Sequence, residues 1–165
     1  LLPDGSLDTS DATLLEDASS PTLTASGTFA FDDVDVIDSH TASAVAAASN
    51  TLGGSVSAVV SAPATGAATG QVSWTYSLAN STAQYLAQGQ QASESFTITV
   101  DDGNGGQASK TVSVNVIGTN DAVTIDAGGT TAAGTATEDA ATTPNPTDSG
   151  SASGVLAFGD VDLIE

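Results

Sequence analysis

Phe96-Thr97-Ile98-Thr99-Val100-Asp101-Asp102-Gly103-Asn104-Gly105-Gly106 leads, after a short gap, to Val112-Ser113-Val114-Asn115-Val116. Both flanks alternate apolar residues with Thr, Ser or Asn. That is the two-residue period of a strand with one face in a core and one in water. The middle is a block of Asp, Asn and Gly, residues that accept positive φ or hydrogen-bond their own backbone at turns. The stretch predicts a β-hairpin. Working outward, Val72, Trp74, Tyr76 and Leu78 form a second period-two face, and Trp74 is expected in the core. Residues 56–60 and 41–47 read as weaker strands rich in Ser and Ala, and residues 27–31 as a short one. Residues 83–88 suggest a single helical turn whose Tyr85 and Leu86 plug the end of the core. Residues 118–122 and 127–134 read as connecting segments, with Gly118 adding flexibility. Many short strands between turn signals imply an all-β sandwich.

The chain also repeats itself. Gly27-Thr28-Phe29-Ala30-Phe31-Asp32-Asp33-Val34-Asp35 aligns without a gap on Gly154-Val155-Leu156-Ala157-Phe158-Gly159-Asp160-Val161-Asp162, at an offset of 127. Glu16-Asp17-Ala18 matches Glu138-Asp139-Ala140 at an offset of 122, so the second copy carries a five-residue insertion. A period of this length is the signature of a tandem array. The partition expected is a linker or the end of a preceding repeat over 1–12, a complete repeat over 13–122 and the beginning of the next over 123–165.

Charge narrows the function. Twenty acidic residues face one lysine and no arginine, for a formal net charge of −19. No basic patch exists to displace counterions from nucleic acid or to meet an anionic membrane surface. No run approaches the roughly 20 apolar residues that span a bilayer, and nothing at the start reads as a signal peptide. The chain is therefore expected to be an internal part of something longer, with its targeting signals elsewhere. A chain so acidic repels itself unless cations neutralise it. The carboxylates cluster at element ends: Glu16 and Asp17, Asp33 and Asp35 with Asp32 and Asp38 nearby, Asp101 and Asp102, Asn120 and Asp121, Asp160 and Asp162. A single Asp in a turn has an ordinary structural role. Asp-x-Asp recurring at matched positions, with almost no basic partner, is instead an oxygen-rich set suited to Ca2+, which takes six to eight such ligands. Zinc would want His or Cys, and the chain has one His and no Cys. His40 lacks the companions of a catalytic base and is expected at the surface or a strand edge. Gly103-Asn104-Gly105-Gly106 has no Lys and no helix after it to make a phosphate loop.

Gly70-Gln71-Val72-Ser73-Trp74-Thr75-Tyr76-Ser77-Leu78, Leu86-Ala87-Gln88-Gly89-Gln90, the hairpin quoted above and Gly118-Thr119-Asn120-Asp121-Ala122 together resemble the VCBS repeat of giant bacterial adhesins exported by type I secretion. The likeness spans about residues 13–122 and its start recurs over 135–165. It departs from the family pattern at Ala79 and Gln90, where acidic residues are usual. The resemblance implies an immunoglobulin- or cadherin-like Greek-key sandwich with calcium between consecutive repeats. It would place Glu16 at the base of the complete repeat, Asn120 and Asp121 in the linker, and Asp160 and Asp162 at the top of the next. Asp33, Asp35 and Asp101 or Asp102 would form the top site of the complete repeat. Asp17, and Glu138 and Asp139 as the counterparts of Glu16 and Asp17, complete the candidate metal ligands. The function expected is a non-catalytic, calcium-stabilised extender of a cell-surface adhesin or extracellular fibre. The alternative is an adhesion module that itself binds glycan or protein. The expected partners are neighbouring repeats, with self-association into a fibre as a further option.

Overall fold

The alternation around Trp74 is realised as a buried strand. The structure is a computed structural model and describes residues 9–16, 21–35, 37–66, 68–131, 133–135 and 151–162. The described chain is almost wholly β: β1 (Asp11–Leu15), β2 (Thr22–Phe31), β3 (Thr41–Ala46), β4 (Ser55–Ala62), β5 (Gly70–Ala79), β6 (Gln91–Asp101), β7 (Gln107–Ile117), β8 (Thr124–Thr131) and β9 (Val155–Gly159). Two compact units arise, one of Leu1–Asp121 with Asp162–Glu165 and one of Ala122–Val161. Among the described residues no helix is long and apolar enough to cross a membrane.

The first unit has a β-sandwich-like build. One sheet runs β1-β7-β6-β3 and the other β2-β5-β4. β6 and β7 form the antiparallel hairpin, paired from Gln91↔Ile117 to Asp101↔Gln107. Its inward rows, Phe96, Ile98 and Val100 with Val112, Val114 and Val116, are buried with Val72, Trp74, Tyr76 and Leu78 of β5. Each such side chain contributes roughly 1.5–3 kcal/mol on leaving water. Trp74 donates its indole N–H to the Thr9 carbonyl at 2.9 Å. Gly27 makes that contact possible, because a Cβ there would stand 2.6 Å from the Thr9 carbonyl and 2.7 Å from the indole ring.

Several local expectations are corrected. The strand expected over 27–31 extends back to Thr22, since the whole of Thr22–Phe31 pairs with β5. β1 was not expected: Asp11–Leu15 lies parallel to β7, from Asp11↔Ser113 to Leu15↔Ile117. The first unit thus includes residues ahead of 13. The helical turn is a 3-10 turn at Asn80–Thr82, just before the expected 83–88, although Leu86 is buried as anticipated. Gly118 is no hinge. Its N–H donates to Gln90 and its carbonyl accepts from Gly89, and a Cβ would stand 2.1 Å from the Leu86 carbonyl. Residues 124–131, partly taken as a connection, are β8.

The second unit is the antiparallel pair β8-β9, with Ile125 opposite Phe158 and Thr131 opposite Val155. Ile125, Leu156 and Phe158 are all exposed. The pairing of Thr131 with Val155 has a counterpart in the first unit. There the Thr9 N–H donates to the Thr28 carbonyl at 2.9 Å, and Thr9 and Thr28 stand at the same offsets, 122 and 127, from Thr131 and Val155.

A carboxylate is held inside the sandwich by backbone donors. Glu94 on β6 is fully buried. Its Oε1 accepts from the backbone N–H of Leu52 (2.9 Å) and Gly53 (3.0 Å), and its Oε2 from Gly54 N–H (3.0 Å) and the Tyr76 hydroxyl (2.8 Å). Burial and then Glu94 push the Tyr76 phenol well above its ordinary range. A Cβ at Gly54 would stand 2.3 Å from Glu94 Oε2, so only glycine admits the carboxylate. Glu94→Ala would leave three N–H groups and a phenol in a dry site without their acceptor. It should cost about 3–5 kcal/mol, read from the denaturation midpoint. A loss below about 0.5 kcal/mol, the size of an ordinary surface change, would show that Glu94 does not pin this loop.

Candidate metal sites

Most of the described acidic residues of the first unit gather at two ends of the β1-β7-β6-β3 sheet. The eleven residues of β6 separate these ends by roughly 33 Å.

At the first end the chain leaves β2 at Phe31 and turns through Asp32, Asp33, Asp35 and Asp38 before β3. Carboxylate oxygens of Asp33, Asp35 and Asp38 all lie within 4.8 Å of one another. Asp33 Oδ1 accepts from the Asp35 N–H at 2.9 Å, and Oδ2 stands 2.9 Å from His40 Nε2. The Asp35 N–H, followed by the His40 ring, holds the Asp33 carboxyl below its usual range. The hairpin turn reaches the same place. A cavity of about 340 Å3 is lined by Asp32, Asp33 and His40 together with Asp102 and Gln107. Asp102 Oδ1 accepts from Asn104 N–H (2.7 Å) and Gly106 N–H (2.9 Å). Asp101 is not among that lining. Its Oδ2 accepts from the Gln107 amide at 2.5 Å and its Oδ1 from Gly103 N–H at 2.7 Å, and these two donors, Gln107 first, hold its carboxyl down. Asp38 joins the cluster although sequence spacing singled out only Asp33 and Asp35.

His40 differs from expectation. Its side chain is only 2% exposed, and its ring packs 4.9 Å from that of Phe31. Pairing with Asp33 and stacking on Phe31 draw it inward.

At the other end Glu16 follows β1 and is 1% exposed. Its Oε2 accepts from the Thr119 hydroxyl (2.7 Å) and N–H (3.3 Å), and its Oε1 from the Gln84 amide. Two residues beyond Thr119, the Asp121 N–H donates to Asp162 Oδ2 at 3.1 Å. Asp162 is 8% exposed, and Asp121 Oδ2 and Asp162 Oδ1 are both fully buried oxygens. Asn120 donates its amide to the Asp121 carbonyl at 2.7 Å. Asp160 is exposed and falls in the second unit. Asp17, Glu138 and Asp139 lie outside the described residues.

Both ends present oxygen donors almost alone. Two oxygens bound to one Ca2+ at 2.3–2.6 Å lie no more than about 5 Å apart, which the Asp33–Asp35–Asp38 spacing satisfies. The chain's lone lysine, Lys110, stands over the Phe29 ring, 5.5 Å from its centroid. No known protein family matches this chain, and no curated protein matches it; the likeness to VCBS repeats rests on the motifs quoted above.

The Asp33–His40 pair gives a test without metal. Asp33 should titrate below 3.8 by NMR and move upward, though not fully, in His40→Ala, because the Asp35 N–H remains. A depressed folded pKa adds stability above the unfolded pKa that is lost as pH falls through the folded value. His40→Ala should therefore lose this contribution above about pH 4, and the difference from wild type should shrink as pH falls through the folded value. It should also cost about 1–2 kcal/mol at neutral pH from lost packing on Phe31. An unmoved Asp33 titration would contradict the pairing.

Proposed function

We propose that this chain is a calcium-stabilised structural repeat, an extender of a secreted cell-surface adhesin or extracellular fibre, with an immunoglobulin- or cadherin-like Greek-key sandwich as its unit. The observation that carries this reading is the Asp33–Asp35–Asp38 cluster, with carboxylate oxygens within 4.8 Å of one another, together with the inward carboxylate oxygens of Glu16, Asp121 and Asp162, in a chain that holds one lysine. Buried negative charges of this density need a cation or extensive donation. An oxygen-only donor set of Asp, Glu and backbone carbonyls suits Ca2+ better than zinc or copper. Asp102 lines the same cavity as Asp33, beside that cluster.

Tandem repetition is supported by the matched pairings Thr9 with Thr28 and Thr131 with Val155. β2 pairs with β5 in one sheet and β3 with β6 in the other, so the chain changes sheets between β2 and β3, between β3 and β4 and between β5 and β6, which supports the Greek-key reading. The motif likeness to VCBS repeats points the same way. A location outside the cell fits this reading, because extracellular modules bind calcium with Kd values of about 0.1–1 mM.

Calcium should raise the unfolding temperature and a chelator should lower it. Each saturated site contributes about 2.7 kcal/mol at a hundredfold excess over its Kd. Sodium chloride at equal ionic strength should replace only part of the effect, because screening supplies no coordination. Asp121→Ala/Asp162→Ala should remove one class of sites in calorimetric titration and leave the other. An unchanged melting curve in excess chelator contradicts the reading. For the extender role, a two-repeat chain should show a larger maximum dimension by small-angle scattering in calcium than in chelator. Equal values would leave a stabilising ion with no part in spacing.

A further inference from the structure

The charge of the chain is distributed unevenly over its sheets. No Asp, Glu, Lys or Arg occurs from Ser39 to Ser93, and none occurs in β2. The sheet β2-β5-β4 is therefore free of charged residues. The other sheet carries Asp11, Glu94, Asp101 and Lys110.

β4 is the edge of the charge-free sheet, and among the described residues it pairs with β5 alone. An edge strand offers a row of backbone N–H and C=O groups to another strand. Proteins ordinarily guard such rows with Lys, Pro, an inward charge or a bulge. Ser55–Ala62 holds no charge and no Pro. A register shift falls between Val60 and Ala62, which leaves residues 55–60 regular. The exposed face of the strand is Ser55, Ser57, Val59 and Ser61, with Val59 60% exposed, while Val56, Ala58 and Val60 are only half-buried.

We propose that the β4 edge is a self-association surface, where a second copy of this chain adds its own β4 in antiparallel pairing to make one continuous six-stranded sheet. Charge selects the occupant. Two chains of formal charge −19 repel where their carboxylates meet, and at physiological salt that repulsion fades over about 8 Å. An approach along the uncharged edge keeps the carboxylate clusters at the strand ends out of the contact. The strand is also self-complementary. A two-fold axis through Ala58 sets Val56 of one copy opposite Val60 of the other and Ser57 opposite Val59, with every residue keeping its own face. The half-buried Val56, Ala58 and Val60 then gain cover. Such a closed, isologous contact needs no second kind of surface. A pairing of this length buries less than the roughly 1,200 Å2 of a stable complex. It is therefore weak between single chains and gains strength where copies lie side by side in arrays. The inference is independent of metal binding.

Sedimentation equilibrium from micromolar to millimolar chain, in calcium and moderate salt, should show a reversible dimer. Hydrogen exchange at high concentration should slow in residues 55–60. Ser57→Asp/Val59→Asp places like charges across the contact at two exposed positions. It should weaken the dimer roughly tenfold or more with little change in melting temperature. Ser109→Asp/Thr111→Asp adds the same charge to β7 and should weaken it far less. A chain that stays monomeric at millimolar concentration overturns the proposal. So does a dimer whose protection maps to β3 or to β8 and β9, or one that both double variants weaken equally. The wild-type exchange map decides the matter even if the first variant misfolds.

Discussion

Twenty carboxylates and one lysine share this chain, so nearly every negative charge must be held by something other than a side-chain cation. The fold meets that constraint in three ways. Glu94 is taken inside and given three backbone N–H groups and a phenol. Asp101 and Asp102 are bound by the N–H groups of their own turn. Among the described residues, Asp32, Asp33, Asp35 and Asp38 lie at one end of the long sheet and Glu16 and Asp121 at the other, where the strands have stopped and repulsion acts on loops rather than on the core. The core is left to Val, Ile, Leu and aromatic residues.

The division explains what the sequence made legible. The hairpin Gln91–Asp101 with Gln107–Ile117, β5 and the burial of Trp74 follow from a strict two-residue period, which only one register satisfies. β1 and β8 escaped because their residues pair without such a period. Asp11-Ala12-Thr13-Leu14-Leu15 is a strand by virtue of β7 alongside it, and Gly128 and Gly129 gave β8 the composition of a linker. Gly118 misled in the opposite sense. Its value is close approach to the Leu86 and Ala87 carbonyls, not freedom.

The candidate sites were legible as clusters but not in membership. Asp33 and Asp35 stood out by spacing, and the hairpin pairing does carry Asp102 to the same cavity. Asp101 turns to Gln107 instead, because alternate residues of a strand face opposite ways. Asp38 and the inward His40 depend on how a loop folds back, and no local period encodes that. Glu94 gave no signal at all. A buried carboxylate held by backbone donors forty residues away is a tertiary fact, marked only afterwards by Gly53 and Gly54.

A residue-resolved calcium titration by 1H–15N NMR addresses the central claim directly, that the carboxylates at the sheet ends form specific cation sites while Glu94 is already satisfied. The account predicts two groups of saturating shifts. One centres on the amides of Asp35, Asn104 and Gly106, the other on those of Thr119 and Asp121, while Leu52, Gly53 and Gly54 stay still. Shifts spread evenly over all acidic residues and erased by sodium chloride would show screening without sites, and would contradict it.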